Sequence, residues 1–136
     1  MELTDALEHF RQNHRAVLAT RRRDGRPQMS PVLQAVGNDG LILISTRTGA
    51  IKVRNVIRDP NVSICALSDA FFGQWVQVDG TASIVEMPAA MALLRFTYVQ
   101  ISGEHPDWAE FERDMIAQHR VALTIKAEEA GPDISG

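Results

Sequence analysis

The sequence predicts a mainly β fold of the α+β class: a small antiparallel barrel of six short strands with helices at its rim. Three observations predict it. Short apolar or alternating runs, typical of strands, recur along a chain of only 136 residues. Two turn signals, Asp24-Gly25 and residues 37–40, separate the early runs and predict hairpins. A chain of this length typically builds one domain, so we expect a single unit over residues 1–136.

The first half of the chain predicts a helix and a three-stranded meander. Thr4 is a candidate N-cap for a helix that reaches about Asn13. Apolar runs bounded by charges and turns then predict strands over 16–20, 28–36 and 41–45. Pro31 cannot donate a ladder hydrogen bond, so the second of these strands is expected at a sheet edge or at a bulge.

The second half of the chain predicts three further strands and two helices. The strands cover 62–67, 75–85 and 121–125, and the helices cover 88–101 and a segment that begins near 108. Asp79-Gly80 interrupts the longest strand and predicts a bulge there, without a reversal of the chain. Residues 127–136 are mostly acidic or small, so we expect a loosely ordered tail.

Composition narrows the classes of partner and compartment. The net charge of −3 argues against nucleic acid as the main partner, because such binding needs a broad basic footprint. The basic run Arg21-Arg22-Arg23 is expected to be a solvated hairpin tip. No apolar run is long enough for a membrane-spanning helix, and the N-terminus carries no apolar signal segment. The single cysteine, Cys65, cannot form an internal disulfide, so we expect a cytoplasmic location.

The segment from 44 to 60 predicts a site for an anion. An apolar strand runs through a small polar turn that contains Gly49 into a short helix, which Pro60 stops. Backbone N–H groups in the first turn of a helix lack intrahelical partners and carry the positive end of the helix dipole. Lys52 lies in that first turn. Together these donors predict that the chain holds a phosphorylated ligand.

The same helix is expected to have one buried face and one charged face. Helical spacing predicts a buried stripe of Ala50, Val53, Val56 and Ile57. Arg54 and Arg58 then lie four residues apart on the exposed face, where like charges repel by roughly 0.2–0.5 kcal/mol. Two explanations stay open: Asp59 or solvent offsets this repulsion, or an anionic ligand or a partner's carboxylate does.

Apolar patterning favours self-association. The strand segments 15–20 and 41–45 are nearly all apolar, which implies burial on both faces. A small barrel has only one interior. Helices or a second copy of the chain must therefore cover the outer faces, and this favours a homodimer.

Three segments together resemble a known protein family. They read DGRPQMSPV at 24–32, KVRN followed by RDP within 52–60, and GEHPDW at 103–108. Their order and spacing resemble the split β-barrel flavin and deazaflavin proteins, the pyridoxamine-phosphate-oxidase-like superfamily, over residues 8–126. The resemblance is greatest to the actinobacterial branch that uses coenzyme F-420, an 8-hydroxy-5-deazaflavin. It implies a split barrel of the FMN-binding type and a homodimer with two cofactor sites at the subunit interface.

The resemblance also implies which residues bind the cofactor. In such proteins the lysine at the position of Lys52 contacts the cofactor phosphate. The strand Ser30-Pro31-Val32 would lie against the ring system, and Ser45-Thr46 would line the phosphate and ribityl side. The remaining candidates for cofactor binding are Arg47, Gly49, Arg54, Asn55 and Trp75. For Trp75, a core or interface position is an equally good interpretation.

Two departures from the family bear on the cofactor and the substrate. FMN-dependent oxidases of this superfamily commonly carry an arginine immediately before the phosphate lysine, where this chain has Ile51. This favours the deazaflavin and leaves FMN as the alternative, with Arg47 as a replacement charge. The oxidases also end in a basic segment that grips pyridoxamine phosphate. Here residues 128–133 are acidic and would repel that phosphate.

The implied chemistry is hydride transfer from C5 of a reduced deazaflavin to an electron-poor small molecule such as an enone, quinone or tetrapyrrole. Two alternatives stay open: an FMN-binding flavoprotein with reductase or oxidase chemistry, and a cofactor carrier or sensor without efficient turnover. The cofactor performs this chemistry, so no catalytic side chain is assigned. The four histidines lack metal-ligand spacing, and no metal site is expected.

Overall fold

A computed structural model of the chain describes residues 1–70 and 72–133. The helices in this part are α1 (Leu3–Gln12), α2 (Ile51–Arg58), α3 (Ala90–Ser102) and α4 (Trp108–Ala117). The strands are β1 (Arg15–Arg21), β2 (Pro27–Leu33), β3 (Ala35–Val36), β4 (Ile42–Arg47), β5 (Asn61–Ala66), β6 (Val76–Val85) and β7 (Arg120–Asp133). The architecture is mainly β with peripheral helices, as predicted.

The strands form one antiparallel sheet in the order β2-β1-β5-β6-β7-β4-β3. The strands β2 and β3 stand at opposite ends of this order, although only Gln34 separates them in the chain. The sheet must therefore curl until its two ends meet. The result is a half-barrel with a seam where β2 approaches β4.

The strand predicted over 28–36 is in fact two strands, so the described part of the chain has seven strands and the predicted six was wrong. Gln34 causes the break. Its backbone N–H donates to the carbonyl of His14 at 2.9 Å. Its fully buried side-chain amide donates to the carbonyls of Phe10 at 2.9 Å and Asn13 at 2.8 Å. These bonds hold the chain where it crosses from one edge of the sheet to the other.

The hairpin predicted at Asp24-Gly25 is confirmed. Strands β1 and β2 pair with Arg21 opposite Pro27. Gly25 adopts a φ of +85°, the left-handed region that glycine enters without a steric penalty. Because β2 is an end strand of the sheet, the edge position predicted from Pro31 is also confirmed.

The bulge predicted at Asp79-Gly80 is confirmed, since the pairing of β6 with β7 shifts register between these two residues. A side chain at Gly80 would collide with the carbonyl oxygen of Lys126. The prediction of a loosely ordered tail over 127–136 was wrong as far as Asp133, because cross-strand pairing with β6 orders these residues. Residues 134–136 of that tail lie outside the described residues.

Helix α1 begins before the predicted cap at Thr4. The N-cap is Glu2, whose carbonyl accepts a hydrogen bond from the Ala6 N–H at 3.0 Å, so Thr4 lies within the first turn and caps nothing. The buried side chains of α1, Phe10 among them, pack against the interior of the half-barrel. None of the helices in the described part of the chain is long and apolar enough to cross a membrane.

Two apolar clusters stabilise the fold. The larger one fills the half-barrel, and its fully buried members include Leu18, Ile64, Leu123 and Ile125. The smaller one joins α3, α4 and β7 through Ala90, Leu94, Phe111 and Ala122. This second cluster fixes the two helices on the outer side of the sheet, next to the seam.

The buried face of α2 differs from the prediction at one position. Val53 and Val56 are buried as predicted and Ala50 is half-buried, but Ile57 is 70% exposed. Asn55 turns inward and is 4% exposed. The prediction was wrong at Ile57 because it used apolar spacing alone. Asn55 can be buried because its side-chain amide donates a hydrogen bond to the Thr20 hydroxyl on β1.

Candidate functional site

A cavity of about 690 Å³ lies beside the seam of the half-barrel. Strands β2 and β4, the start of α2, helices α3 and α4 and the first residue of β7 form its walls. The lining residues are Pro31, Val32, Leu33, Ser45, Thr46, Arg47, Ala50, Lys52, Leu94, Thr97, Tyr98, Ile101, Ser102, Phe111, Met115 and Arg120. Among these described residues there are three cations and no carboxylate, so the cavity suits an anionic ligand.

The cationic part of the cavity forms where β4 passes into α2. Strand β4 ends at Arg47, and the turn that follows is closed by a hydrogen bond from the Ala50 N–H to the Arg47 carbonyl at 3.0 Å. Lys52 lies in the first turn of α2, and no side chain caps the N-terminus of this helix. Ser45 and Thr46, two consecutive residues of β4, also line this part of the cavity. These groups are the donors that phosphate oxygens accept from.

Arg120 is a cavity residue that sequence reasoning missed. It lies directly opposite Arg47 in the pairing of β4 with β7. Its Nε donates to Oε1 of Gln118 at 3.0 Å, which orients the guanidinium. Burial lowers the pKa of Arg120, and the positive charge of Arg47 lowers it further. The only sequence signal was a cation at the start of the last apolar run, and it gains meaning only from the strand register.

The apolar part of the cavity comes from α3 and α4. The ring of Tyr98 lies 4.9 Å from that of His105, 5.3 Å from that of Phe111 and 6.0 Å from that of Trp108, measured between centroids. The guanidinium of Arg95 stacks on Trp108 at 4.5 Å from the ring centroid. This cluster fixes α4 against α3. The cavity wall that it supports is apolar, with Leu94, Tyr98 and Phe111 among its residues, and this suits a ring system.

The structure brings six of the eleven predicted cofactor-binding residues to the cavity: Pro31, Val32, Ser45, Thr46, Arg47 and Lys52. The other five do not line it: Ser30, Gly49, Arg54, Asn55 and Trp75. Ser30 has a buried hydroxyl without a hydrogen-bond partner in the described part of the chain. Gly49 is exposed in the turn before α2, and Trp75 is half-buried just before β6.

Asn55 belongs to a clamp that holds α2 on β1. Its Nδ2 donates to Oγ1 of Thr20 at 3.0 Å, and its Oδ1 accepts from Nη2 of Arg58 at 2.7 Å. The same Nη2 donates to the carbonyl of Arg21 at 2.8 Å. The guanidinium of Arg58 therefore donates its hydrogen bonds to two neutral oxygens. Asp59 instead approaches Arg21, at 4.0 Å.

We expect Asn55→Ala to lower the free energy of unfolding by about 1–2 kcal/mol, because Thr20 and Arg58 lose their buried partner. Chemical denaturation of the purified variant measures this loss. The matched control is Arg54→Ala, since the side chain of Arg54 is exposed and has no hydrogen bond or ion pair in the described part of the chain. The control is expected to change stability by less than about 0.5 kcal/mol. Equal stability of the two variants would contradict the clamp.

Other reactive side chains do not form a second centre. In residues 1–70 and 72–133, no three His, Cys, Asp or Glu side chains come together in a way that could hold a metal ion. Cys65 is half-buried in β5, and burial raises the pKa of its thiol above the usual value. The cavity at the seam is therefore the candidate functional site.

Solved structures of other proteins share this fold. The conserved hypothetical protein Rv2991 from Mycobacterium tuberculosis has a TM-score of 0.78 and 26% identity, covering 96% of this chain and 82% of that one. A protein named F420 reductase has a TM-score of 0.67 and 21% identity, covering 88% and 90%. General Stress Protein 26 from Bacillus anthracis has a TM-score of 0.64 and 18% identity, covering 96% and 92%. For the last two proteins, whose sequence identity to this chain is 21% and 18%, the similarity shows the fold alone.

A family model described as pyridoxamine 5′-phosphate oxidase matches residues 3–131. The match spans nearly the whole chain and includes every residue that lines the cavity. It confirms the resemblance drawn from the three short segments. The chain belongs to the pyridoxamine 5′-phosphate oxidase family.

Proposed function

We propose that this protein is an oxidoreductase that binds coenzyme F-420 in the seam cavity and transfers hydride to an electron-poor small molecule. One observation carries the proposal. Lys52, Arg47, Ser45 and Thr46 line one cavity in a fold of the pyridoxamine 5′-phosphate oxidase family. These groups are the partners that the phosphate of a flavin-type cofactor needs.

The residues present fit such a cofactor. Cations and hydroxyls without an acidic neighbour suit a phosphate, because every polar contact can then be a charge-assisted donor. The wall of Leu94, Tyr98 and Phe111 suits an apolar, planar body. A ligand with an anionic arm and a ring system would use both parts of the cavity.

Each group of residues would have a separate task. Lys52 and Arg47 would neutralise the phosphate, and Pro31 and Val32 would lie along the ring. When bound, a reduced deazaflavin supplies a hydride from its C5 to an acceptor such as an enone, quinone or tetrapyrrole. The protein's part is to bind, to orient and to exclude water. No side chain of this chain is assigned to proton transfer.

Two local features favour F-420 over FMN and over oxidation of pyridoxamine phosphate. Ile51, the residue before Lys52, is 61% exposed and brings no charge to the place where FMN-dependent oxidases commonly have an arginine. Glu128 and Glu129 lie on the end of β7, where the resemblance implies a basic terminal segment in the oxidases that grip pyridoxamine phosphate. The similarity in fold to a protein named F420 reductase agrees with this choice. An FMN-binding flavoprotein is the second candidate, since Arg47 can replace the missing charge.

A homodimer would complete the site. The outward-facing residues of β2 include Met29, which is 63% exposed, and Leu33, which is 51% exposed. In β1, Val17 and Ala19 lie opposite Pro31 and Met29 and are only half-buried. This apolar sheet face continues into the cavity through Pro31 and Leu33. A second copy on this face would therefore close the cavity and place the cofactor between two subunits.

The absorbance of the purified protein tests the choice of cofactor. We expect the purified protein to lack the absorbance band of a bound flavin at about 450 nm. We also expect it to quench the fluorescence of added F-420. Reduced F-420 should then be consumed only when an acceptor such as a quinone is present. A yellow protein that releases FMN on heating would favour the second candidate. Quenching without consumption in the presence of acceptors would favour a carrier or sensor.

A further inference from the structure

We propose that this protein docks on an anionic lipid bilayer through a surface between the tip of the β1–β2 hairpin and the exposed side of α2. We call this surface the basic face. It combines four arginines with two isoleucines: Arg22, Arg23, Arg54, Arg58, Ile51 and Ile57. None of these residues lines the seam cavity, so the inference does not depend on the proposed function.

The first argument is the concentration of unpaired positive charge. In the described part of the chain none of the four arginines has an ion pair, and the side chains of Arg22, Arg23 and Arg54 also have no hydrogen bond. Asp24, the one acidic residue among the described residues of this groove, accepts two hydrogen bonds from the Arg26 guanidinium, at 2.9 and 2.7 Å. The whole chain has a net charge of −3, so the basic face is a local excess that suits an anionic partner.

The second argument is the repulsion within the basic face. Arg54 and Arg58 lie four residues apart on the exposed side of α2, where like charges destabilise a helix. The two hydrogen bonds of Arg58 go to neutral oxygens, which do not cancel its charge. Arg22 and Arg23 add two positive charges on the other side of the groove. Anionic headgroups beside the basic face would relieve this repulsion.

The third argument is that two large apolar side chains protrude from the same surface. Ile51 is 61% exposed and Ile57 is 70% exposed, and both line the groove with the arginines. Aliphatic side chains among cations are typical of surfaces that bind membranes from one side, because the apolar groups enter the acyl boundary while the cations contact lipid phosphates. The basic face has both kinds of group within one short helix and one hairpin tip.

These observations favour a bilayer over an acidic segment of another protein. Protruding isoleucines would need matching pockets on a protein, whereas the acyl boundary of a bilayer receives them without a fixed shape. An extended peptide would also need free backbone groups in the groove. At the hairpin tip, however, the N–H and the carbonyl of Arg22 already pair with Arg26 and Gly25, at 2.9 Å in both cases.

Sedimentation with lipid vesicles tests the proposal on the purified protein. The wild type is expected to bind vesicles of phosphatidylcholine with about 30% phosphatidylglycerol at least about tenfold more tightly than vesicles of phosphatidylcholine alone. Raising the salt concentration from about 0.05 to about 0.5 M should weaken this binding, because salt screens the arginines. No binding to the anionic vesicles, or equal binding to both kinds of vesicle, would overturn the proposal.

A charge variant locates the binding on the basic face. Arg22→Gln combined with Arg23→Gln should weaken binding to the anionic vesicles by about tenfold or more. The matched control combines Arg113→Gln with Lys126→Gln, which removes the same net charge from exposed positions outside the basic face. The control should lose less than about threefold. Equal losses in the two double variants would mean that overall charge governs the binding, and this would overturn the proposal.

An apolar variant and a soluble polyanion separate a bilayer from an acidic polypeptide. Ile57→Ser should weaken binding to the anionic vesicles by about threefold or more, whereas the control Ile116→Ser, at a 60% exposed isoleucine of α4, should bind like the wild type. Poly-glutamate at the same concentration of negative charge should leave most of the protein on the vesicles. Unchanged binding of Ile57→Ser, or displacement of the protein by poly-glutamate, would overturn the proposal in favour of an acidic polypeptide.

Discussion

Replacing Lys52 by alanine is expected to weaken cofactor binding by about 1.5–3 kcal/mol, roughly 10- to 150-fold in Kd. The reason is that a hydrogen bond from an ammonium to a phosphate is charge-assisted and lies in a partly enclosed cavity. In the described part of the chain the side chain of Lys52 has no hydrogen bond or ion pair. Its removal therefore leaves no protein group unpaired, and the fold should stay intact.

Titration of F-420 into the purified variant, followed by fluorescence quenching, measures this loss. The matched control is Lys126→Ala, because Lys126 is the other lysine of the chain, exposed on β7 and outside the cavity. The control should bind like the wild type. Unchanged affinity in a well-folded Lys52→Ala protein would remove Lys52 from the site and, with it, the main support for the proposed function.

The parts of the fold that were predicted correctly are those set by the chemistry of single residues. Gly25 marks its hairpin because only glycine enters the left-handed region freely, and Pro31 marks an edge because it lacks a donor. Gly80 marks the bulge, where a side chain would meet the backbone of β7. Each of these signals acts within a few residues, so the sequence alone was sufficient.

The errors have a different origin. Gln34 ends a strand because distant carbonyls accept its hydrogen bonds, and Ile57 is exposed because Asn55 finds a partner on β1. Residues 127–133 are ordered because β6 pairs with them. In all three cases, a partner far away in the chain overrides the local preference. Composition and spacing carry no information about such partners.

The candidate site divides in the same way. Arg47 and Lys52 are close in sequence, on either side of one turn, so a local pattern predicted an anion site around them. Arg120 joins them only through the register of β4 with β7. Asn55 and Arg54, assigned to the cofactor by resemblance, do not line the cavity. The family motif thus indicated that α2 lies at the cavity. The packing of the helix determines which of its side chains line the cavity.

Disrupting the apolar face of β1 and β2 is expected to abolish cofactor binding even though each subunit stays folded. Met29→Glu places a carboxylate on this apolar face in both copies of a dimer, and burying these two charges in the interface would oppose association. Met29 is exposed in the single chain and does not line the cavity, so the substitution should disturb neither the fold nor the local binding residues. Loss of binding would then come from loss of the second subunit.

Light scattering gives the mass of the protein in solution, and F-420 titration gives its affinity on the same sample. We expect the wild type to be a dimer that binds and Met29→Glu to be a folded monomer that does not. Ile116→Glu is the matched control: Ile116 is an isoleucine of α4, 60% exposed and outside the cavity, so this variant should remain dimeric and active in binding. A stable Met29→Glu monomer that binds F-420 like the wild type would contradict a site shared between subunits, because one copy would then supply every contact that the ligand needs.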